Sequence, residues 1–164
     1  MTEWWTSLEF LGENFSPIQR SRTEMEKTFF ESNPFESRAF IIEKKDGNKI
    51  GYIVHFYMLH PMEKMLEFGY AITPSERGKG YCTEAAKIML DYLFLSKDVA
   101  RIQATAHVKN AASEKVLEKV EFRKEGILRK SSFRRGEWTD TVIFSILREE
   151  WKEPRILTRQ YPQK

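Results

Sequence analysis

The strongest constraint on the fold is an ordered run in the middle of the chain: strand, glycine-bearing loop, helix, strand, helix. Residues 66–72 (LEFGYAI) read as a strand that stops before Pro74, whose missing N–H cannot serve a ladder. Ser75 to Cys82 then bring Gly78 and Gly80, and residues 83–95 set Ala86, Met89, Leu90 and Leu93 on one helical face. Residues 100–108 alternate, with Ile102, Ala104, Ala106 and Val108 on one side and Arg101, Gln103, Thr105 and His107 on the other. Asn110 is a suitable N-cap for a short helix in which Ser113, Val116, Leu117 and Val120 share a face, closed near Phe122. Strand, helix and strand in this order make a parallel, right-handed crossover.

Hairpins flank this unit. Residues 39–43 and 50–59 are rich in β-formers around the turn Asp46-Gly47-Asn48, and residues 127–133 and 139–147 face each other across Arg134-Arg135-Gly136-Glu137. Before them, residues 4–35 look helical, with Ser16-Pro17 as an N-cap and first turn, Met25, Phe29 and Phe30 at helical spacing, and Asn33-Pro34 as the stop. The fold class this predicts is α/β, a central mixed sheet with helices on both faces. Ligands of such sheets sit beyond the carboxyl ends of strands, which directs attention to the loop at 74–82 and the turn at Asn110.

The 164 residues suit one domain, residues 1–164, with no linker or repeat to divide it. Cys82 is the only cysteine, so no internal disulfide forms and a reducing compartment is favoured. The charge of +3 is too small to indicate a nucleic-acid or membrane protein. No apolar run reaches transmembrane length and Met1 to Trp5 do not read as a secretory signal, which makes the cytoplasm the expected location.

The loop carries the chemistry. Gly78 and Gly80 permit positive φ, Arg77 and Lys79 flank Gly78, and the free N–H groups of the following helix offer a partial positive charge, a combination that cradles a diphosphate. A Walker A loop is absent, and Thr83 stands where a dinucleotide fingerprint would need its third glycine. The plain alternative is a glycine turn entering a helix.

The stretch Arg77-Gly78-Lys79-Gly80-Tyr81-Cys82-Thr83-Glu84-Ala85 resembles the coenzyme-binding motif of the GNAT superfamily of N-acetyltransferases, in the style of its RimJ/RimL-type branch. Glu67 to Ile72, Asn110 to Ser113 and Gly136 to Asp140 match at the expected intervals, so the resemblance covers residues 39–151. It implies a sheet with splayed strands and direct transfer of acetyl from acetyl-CoA to a primary amine, on a small molecule or a protein N-terminus, with no metal. It also implies that the backbone from Gly78 to Thr83 holds the coenzyme pyrophosphate, that Tyr70, Ala71 and Ile72 meet the pantetheine through backbone, and that Asn110 is a further ligand, a role compatible with N-capping. Arg77 and Lys79 are either aids to the anion or solvated side chains. Cys82 replaces a usual Gly or Ala and is read as a packing residue.

Catalysis needs a group to take the amine proton and a donor for the thiolate. The resemblance implies Glu67 for the first, acting through water, with a solvated glutamate or an ammonium contact as alternatives. Leu117 stands where many relatives have a donor tyrosine. Ser113 matches a serine that could serve instead, or could simply bond backbone at its helix start. Ser132 stands where some peptide-acetylating relatives have a carboxylate. His55, His60 and His107 lack metal-ligand spacing, and Glu121 replaces the glycine usual before Phe122, so that helix end is expected to turn differently. A coenzyme-binding sensor without turnover is the alternative function. A nucleic-acid surface at Arg123, Lys124, Arg129, Lys130, Arg134 and Arg135 is disfavoured by Glu121, Glu125 and Glu137 among them. Against the family pattern the first strand is missing or replaced, or a partner supplies it, which leaves an open sheet edge and room for a homodimer.

Overall fold

A computed structural model describes residues 4, 10, 23, 37–60, 63–152, 154 and 156. The remaining N-terminal positions, with the expected helix start at Ser16-Pro17, its stop at Asn33-Pro34 and the question of a first strand, lie outside the described residues. So does the side chain of His60.

Strands β1 (Ser37–Glu43), β2 (Lys49–His60) and β3 (Glu63–Ile72) form an antiparallel meander. A short 3₁₀ turn over Pro74–Glu76 leads through the glycine loop to α1 (Tyr81–Ser96), then β4 (Arg101–His107), α2 (Ala111–Lys119), β5 (Arg123–Arg134) and β6 (Glu137–Leu147). The sheet order is β1-β2-β3-β4-β6-β5, with β3 and β4 parallel and every other pair antiparallel. Each expected strand and both central helices are present, most strands extended by a few residues where ladder hydrogen bonds carry them past their apolar stretch, and β4 one residue shorter at each end than expected.

Both helices cover one face. Met89, Leu90 and Leu93 of α1 and Leu117 of α2 join Phe68, Ile102, Phe144 and Ile146 of the sheet in one buried cluster. On the opposite face the helical residues Trp4 and Phe10 stack at 5.2 Å and meet Tyr52 and Ala71. The expectation of helices on both faces thus resolves into α1 and α2 on one side and an aromatic N-terminal contact on the other. None of the helices in the described residues is long and apolar enough to cross a membrane.

Two long-range anchors hold the crossover. Arg148, just after β6, donates to the carbonyls of Phe94, Lys97 and Val99 and lies 5.2 Å from the Phe94 ring centre. A cation there satisfies carbonyls that the end of α1 leaves without partners. Asp91, fully buried in α1, accepts from the Trp151 indole at 3.0 Å and the Ile156 N–H at 2.7 Å.

The end of α2 departs from expectation. Although Glu121 is not glycine, it adopts φ 68°, its N–H bonds Glu118 O, and the Phe122 N–H bonds Leu117 O. This is the Schellman arrangement that glycine normally serves, so the turn keeps its geometry and carries the strain of a left-handed side-chain residue. Glu121→Gly is therefore expected to stabilise the protein by about 1 kcal/mol, read as a higher urea midpoint with unchanged slope. A lower midpoint would show that the glutamate side chain contributes more than its backbone costs.

The cationic hairpin is interrupted by intramolecular pairs. Arg123 meets Glu150 at 3.0 Å, Lys124 meets Glu114 at 3.1 Å, and Arg134 donates to Ser132 Oγ at 2.9 Å. Glu125 is held well below the usual carboxylate range, at about 2, by hydrogen bonds from Arg101 and then from Ser145.

Candidate active site

The strand geometry opens the site. β3 pairs with β4 only at Leu66–Ile102 and Glu67–Gln103, although β3 runs on to Ile72 and β4 to His107. Beyond Glu67 the two strands diverge, and a cavity of 750 Å³ occupies the fork, reaching Tyr52 and Val54 on one face and Asn110, Ser113 and Leu117 on the other.

The glycine loop lies at the mouth of this fork. Gly78 and Gly80 adopt φ 76° and 90°, and Gly80 is the N-cap of α1. Glu84 N–H bonds Gly80 O, whereas the backbone N–H groups from Gly78 to Thr83 have no partner among the described residues. Such a concave run at a helix start binds anions through fixed dipoles, and a Cβ on either glycine would project into open space. The cation signal in the sequence points elsewhere: Arg77 donates to Ile72 O at 3.1 Å and Phe10 O at 2.7 Å, clamping the loop to β3, while Lys79 pairs with Glu76 at 3.1 Å. The Cys82 thiol is pushed up to about 11 by burial, partly offset by Arg77, so it stays protonated at neutral pH.

Backbone alternation sorts the three residues at the end of β3. Thr73 N–H bonds Ile50 O across to β2. Two-residue periodicity then directs the backbone of Ala71 to β2 and that of Tyr70 and Ile72 into the fork. Ile72 O is taken by Arg77, and the Ala71 side chain packs toward Phe10. Of Tyr70, Ala71 and Ile72, only Tyr70 therefore offers both backbone groups to the cavity. A Cβ at Gly51 would collide with Ala71 O, so the glycine lets β2 approach β3 here.

Glu67 stands at the vertex of the fork. It faces away from Phe68 and Tyr70, is 7% exposed, and accepts from Gln103 Nε2 at 2.9 Å and Thr105 Oγ1 at 2.7 Å. A carboxylate so placed has fixed orientation and borders the cavity. It has no cationic partner among the described residues.

Across the fork, Asn110 caps α2 by accepting the Ser113 N–H at 3.2 Å. The Tyr70 hydroxyl lies 3.1 Å from Ser113 Oγ and 3.3 Å from Ser113 O. Burial pushes the Tyr70 phenol well above its ordinary range. Leu117 is fully buried, and Ser132 Oγ accepts from Arg134, which also lines the cavity. His107 is shifted down, chiefly by burial and then by Arg134. The sequence reading missed the side chain of Tyr70 as a contributor. The only signal for it was an aromatic hydroxyl two residues from the strand's end.

A family model described as an acetyltransferase (GNAT) domain matches residues 2–123, and the chain belongs to this family. The uncharacterized N-acetyltransferase YnaD of Bacillus subtilis (strain 168) is 36% identical over 111 residues, 68% of this chain and 64% of that protein. Spermidine N(1)-acetyltransferase of Escherichia coli (strain K12) is 27% identical over 114 residues, 70% of this chain and 60% of that protein. The chain thus spans a little under two thirds of each of these two relatives. In fold it is similar to the spermidine N-acetyltransferase from Vibrio cholerae solved with CoA and spermine. The TM-score is 0.79 over 92% of this chain and 89% of that one, at 22% identity.

Proposed function

We propose that the protein transfers acetyl from acetyl-CoA directly to a primary amine, on a small polyamine-like acceptor or a protein N-terminus, in the cytoplasm. The observation that carries this reading is the placement of the N–H cradle from Gly78 to Thr83, unpartnered among the described residues, at one end of the fork and of the buried Glu67 carboxylate at its vertex. A pyrophosphate in the cradle would direct the pantetheine along β3, where the Tyr70 backbone N–H can bond the thioester carbonyl and stabilise the oxyanion that develops there. The acceptor approaches from the face that holds Glu67.

In the transfer, the nitrogen lone pair attacks the carbonyl carbon, the N–C bond forms and the C–S bond breaks. The amine proton passes through water to the Glu67 carboxylate, and the electron pair leaves on sulfur. Gln103 and Thr105 hold Glu67 in one orientation for this. Similarity to a spermidine acetyltransferase supports an amine acceptor.

Coenzyme A at a hundredfold excess over its Kd is expected to raise the apparent stability by about 2.7 kcal/mol, and acetyl-CoA with a panel of amines to release free thiol. Glu67→Gln should keep the coenzyme effect and lose about a hundredfold in kcat/KM for the amine. Stabilisation without thiol release from any amine would instead favour a coenzyme sensor, and no response to coenzyme A would overturn both readings.

A further inference from the structure

Ser113 lies in the first turn of α2, where a serine hydroxyl usually satisfies its own helix. Here that need is already met, because the Ser113 N–H bonds Asn110 Oδ1 and Asn110 O. Among the described residues the hydroxyl is left with one partner, Tyr70, from a strand 43 residues earlier. Tyr70 is itself fixed: its ring packs 6.1 Å from Phe68 on the core side of β3. Both residues line the cavity, and Leu117 supplies no donor beside them.

We propose that Tyr70 is a positioning residue for the transfer reaction, its hydroxyl orienting the Ser113 hydroxyl so that the pair presents one hydrogen-bond donor to the coenzyme sulfur. This rests on the acetyltransferase reading above.

Two proton arrangements follow from the distances. In one, Ser113 Oγ–H donates to the Tyr70 oxygen while Tyr70 O–H donates to Ser113 O, and both protons are consumed inside the protein. In the other, Tyr70 O–H donates to Ser113 Oγ and the serine O–H is left free to donate into the cavity. Negative charge on sulfur favours the second, because only that arrangement has a proton to offer. The polarised serine then donates more strongly than an isolated one. The interaction is thus stronger with the charge-separated transition state than with the thioester, which is the condition for raising kcat.

Neither hydroxyl gives up its proton. A thiol with an ordinary pKa of about 8.5 makes a thiolate far less basic than a buried phenolate or an alkoxide, so the sulfur departs as a hydrogen-bonded anion. The amine proton still goes through water to Glu67, and the thiolate takes a proton from solvent after release.

Tyr70→Phe keeps the ring and removes the oxygen. It is expected to lower kcat with acetyl-CoA about tenfold or more, with KM for both substrates and the Kd for coenzyme A within about twofold of the parent. Ser113→Ala should lose a similar factor, and the double variant no more than the larger single loss, because Tyr70 acts through Ser113. If Tyr70→Phe does not fold, Tyr70→Met serves in the same cycle. Unchanged kcat, a loss confined to KM, or single losses that multiply in the double variant would each overturn the proposal. A parent protein that releases no thiol with any amine would instead overturn the acetyltransferase reading itself.

Discussion

Gly80→Val is expected to weaken coenzyme A binding by at least about a hundredfold while the protein still folds. Gly80 has φ 90° and ψ −9°, a conformation in which a β-branched residue is an outlier. The cost of holding valine there is about 1–2 kcal/mol, and the loop lowers it by rotating toward negative φ. That rotation turns the N–H groups of Tyr81 and Cys82 away from the cradle. Losing two charge-assisted hydrogen bonds to a pyrophosphate, at about 1.5–3 kcal/mol each, gives the expected factor. A control separates this from general instability. Gly47, in the β1–β2 turn, has φ 84° and, like Gly80, no atom within 4 Å of a built Cβ. Gly47→Val bears a similar backbone strain away from the cradle. It should lower the thermal midpoint by a comparable few degrees and leave coenzyme affinity unchanged. Equal affinity losses in both variants, measured by calorimetry, would show that the cradle has no special role.

The strands were readable because their periodicity is local. Ile102, Ala104 and Ala106 face the core as their alternation predicts. The glycine loop was readable because few residues tolerate the backbone it needs. What escaped depends on long-range pairing. The splay itself is implied by the family resemblance, but no local pattern near Glu67 shows where β3 and β4 part, because the divergence is a property of two strands separated by a helix. Arg77 reads from the sequence either as an aid to the anion or as a solvated side chain, and neither reading shows that a carbonyl of Phe10, 67 residues away, accepts from its guanidinium. Tyr70 and Ser113 meet only because α2 docks over the end of β3. Glu121 shows the opposite error. A missing glycine suggested a different turn, but tertiary packing imposes the left-handed conformation on glutamate all the same.

The protein is expected to lose stability between pH 6.5 and 4 chiefly through one residue, His55. On β2 its ring is fully buried, 5.9 Å from Tyr92 and 6.4 Å from Phe40, and neither nitrogen has a hydrogen-bond partner among the described residues. Burial foremost, then the charges of Lys97 and Arg38, pushes its pKa down to about 4. In the unfolded chain the imidazole titrates near its ordinary value of about 6.5. Above that pH both states are neutral and the histidine leaves stability unchanged. As the pH falls below it, the unfolded state takes up a proton that the folded state refuses, so the unfolded state binds more protons and stability declines. By pH 4 the decline amounts to about 3 kcal/mol, at about 1.4 kcal/mol per pH unit. Glu125, held down at about 2, begins to lose its own contribution only as the pH falls through the ordinary carboxylate range near 4.5, where the unfolded chain takes up a proton first, so the part of the decline between pH 6.5 and 5 is the part that reports the histidine. His55→Leu removes both buried nitrogens. It should match or exceed the parent in stability at pH 7, because two unsatisfied polar atoms disappear, and it should flatten the decline between pH 6.5 and 4. Urea unfolding at pH 7, 5.5 and 4.5 measures both. If the variant loses stability over that range as steeply as the parent, the acid sensitivity belongs to another group, and the buried imidazole must find a partner that keeps its proton affinity near normal.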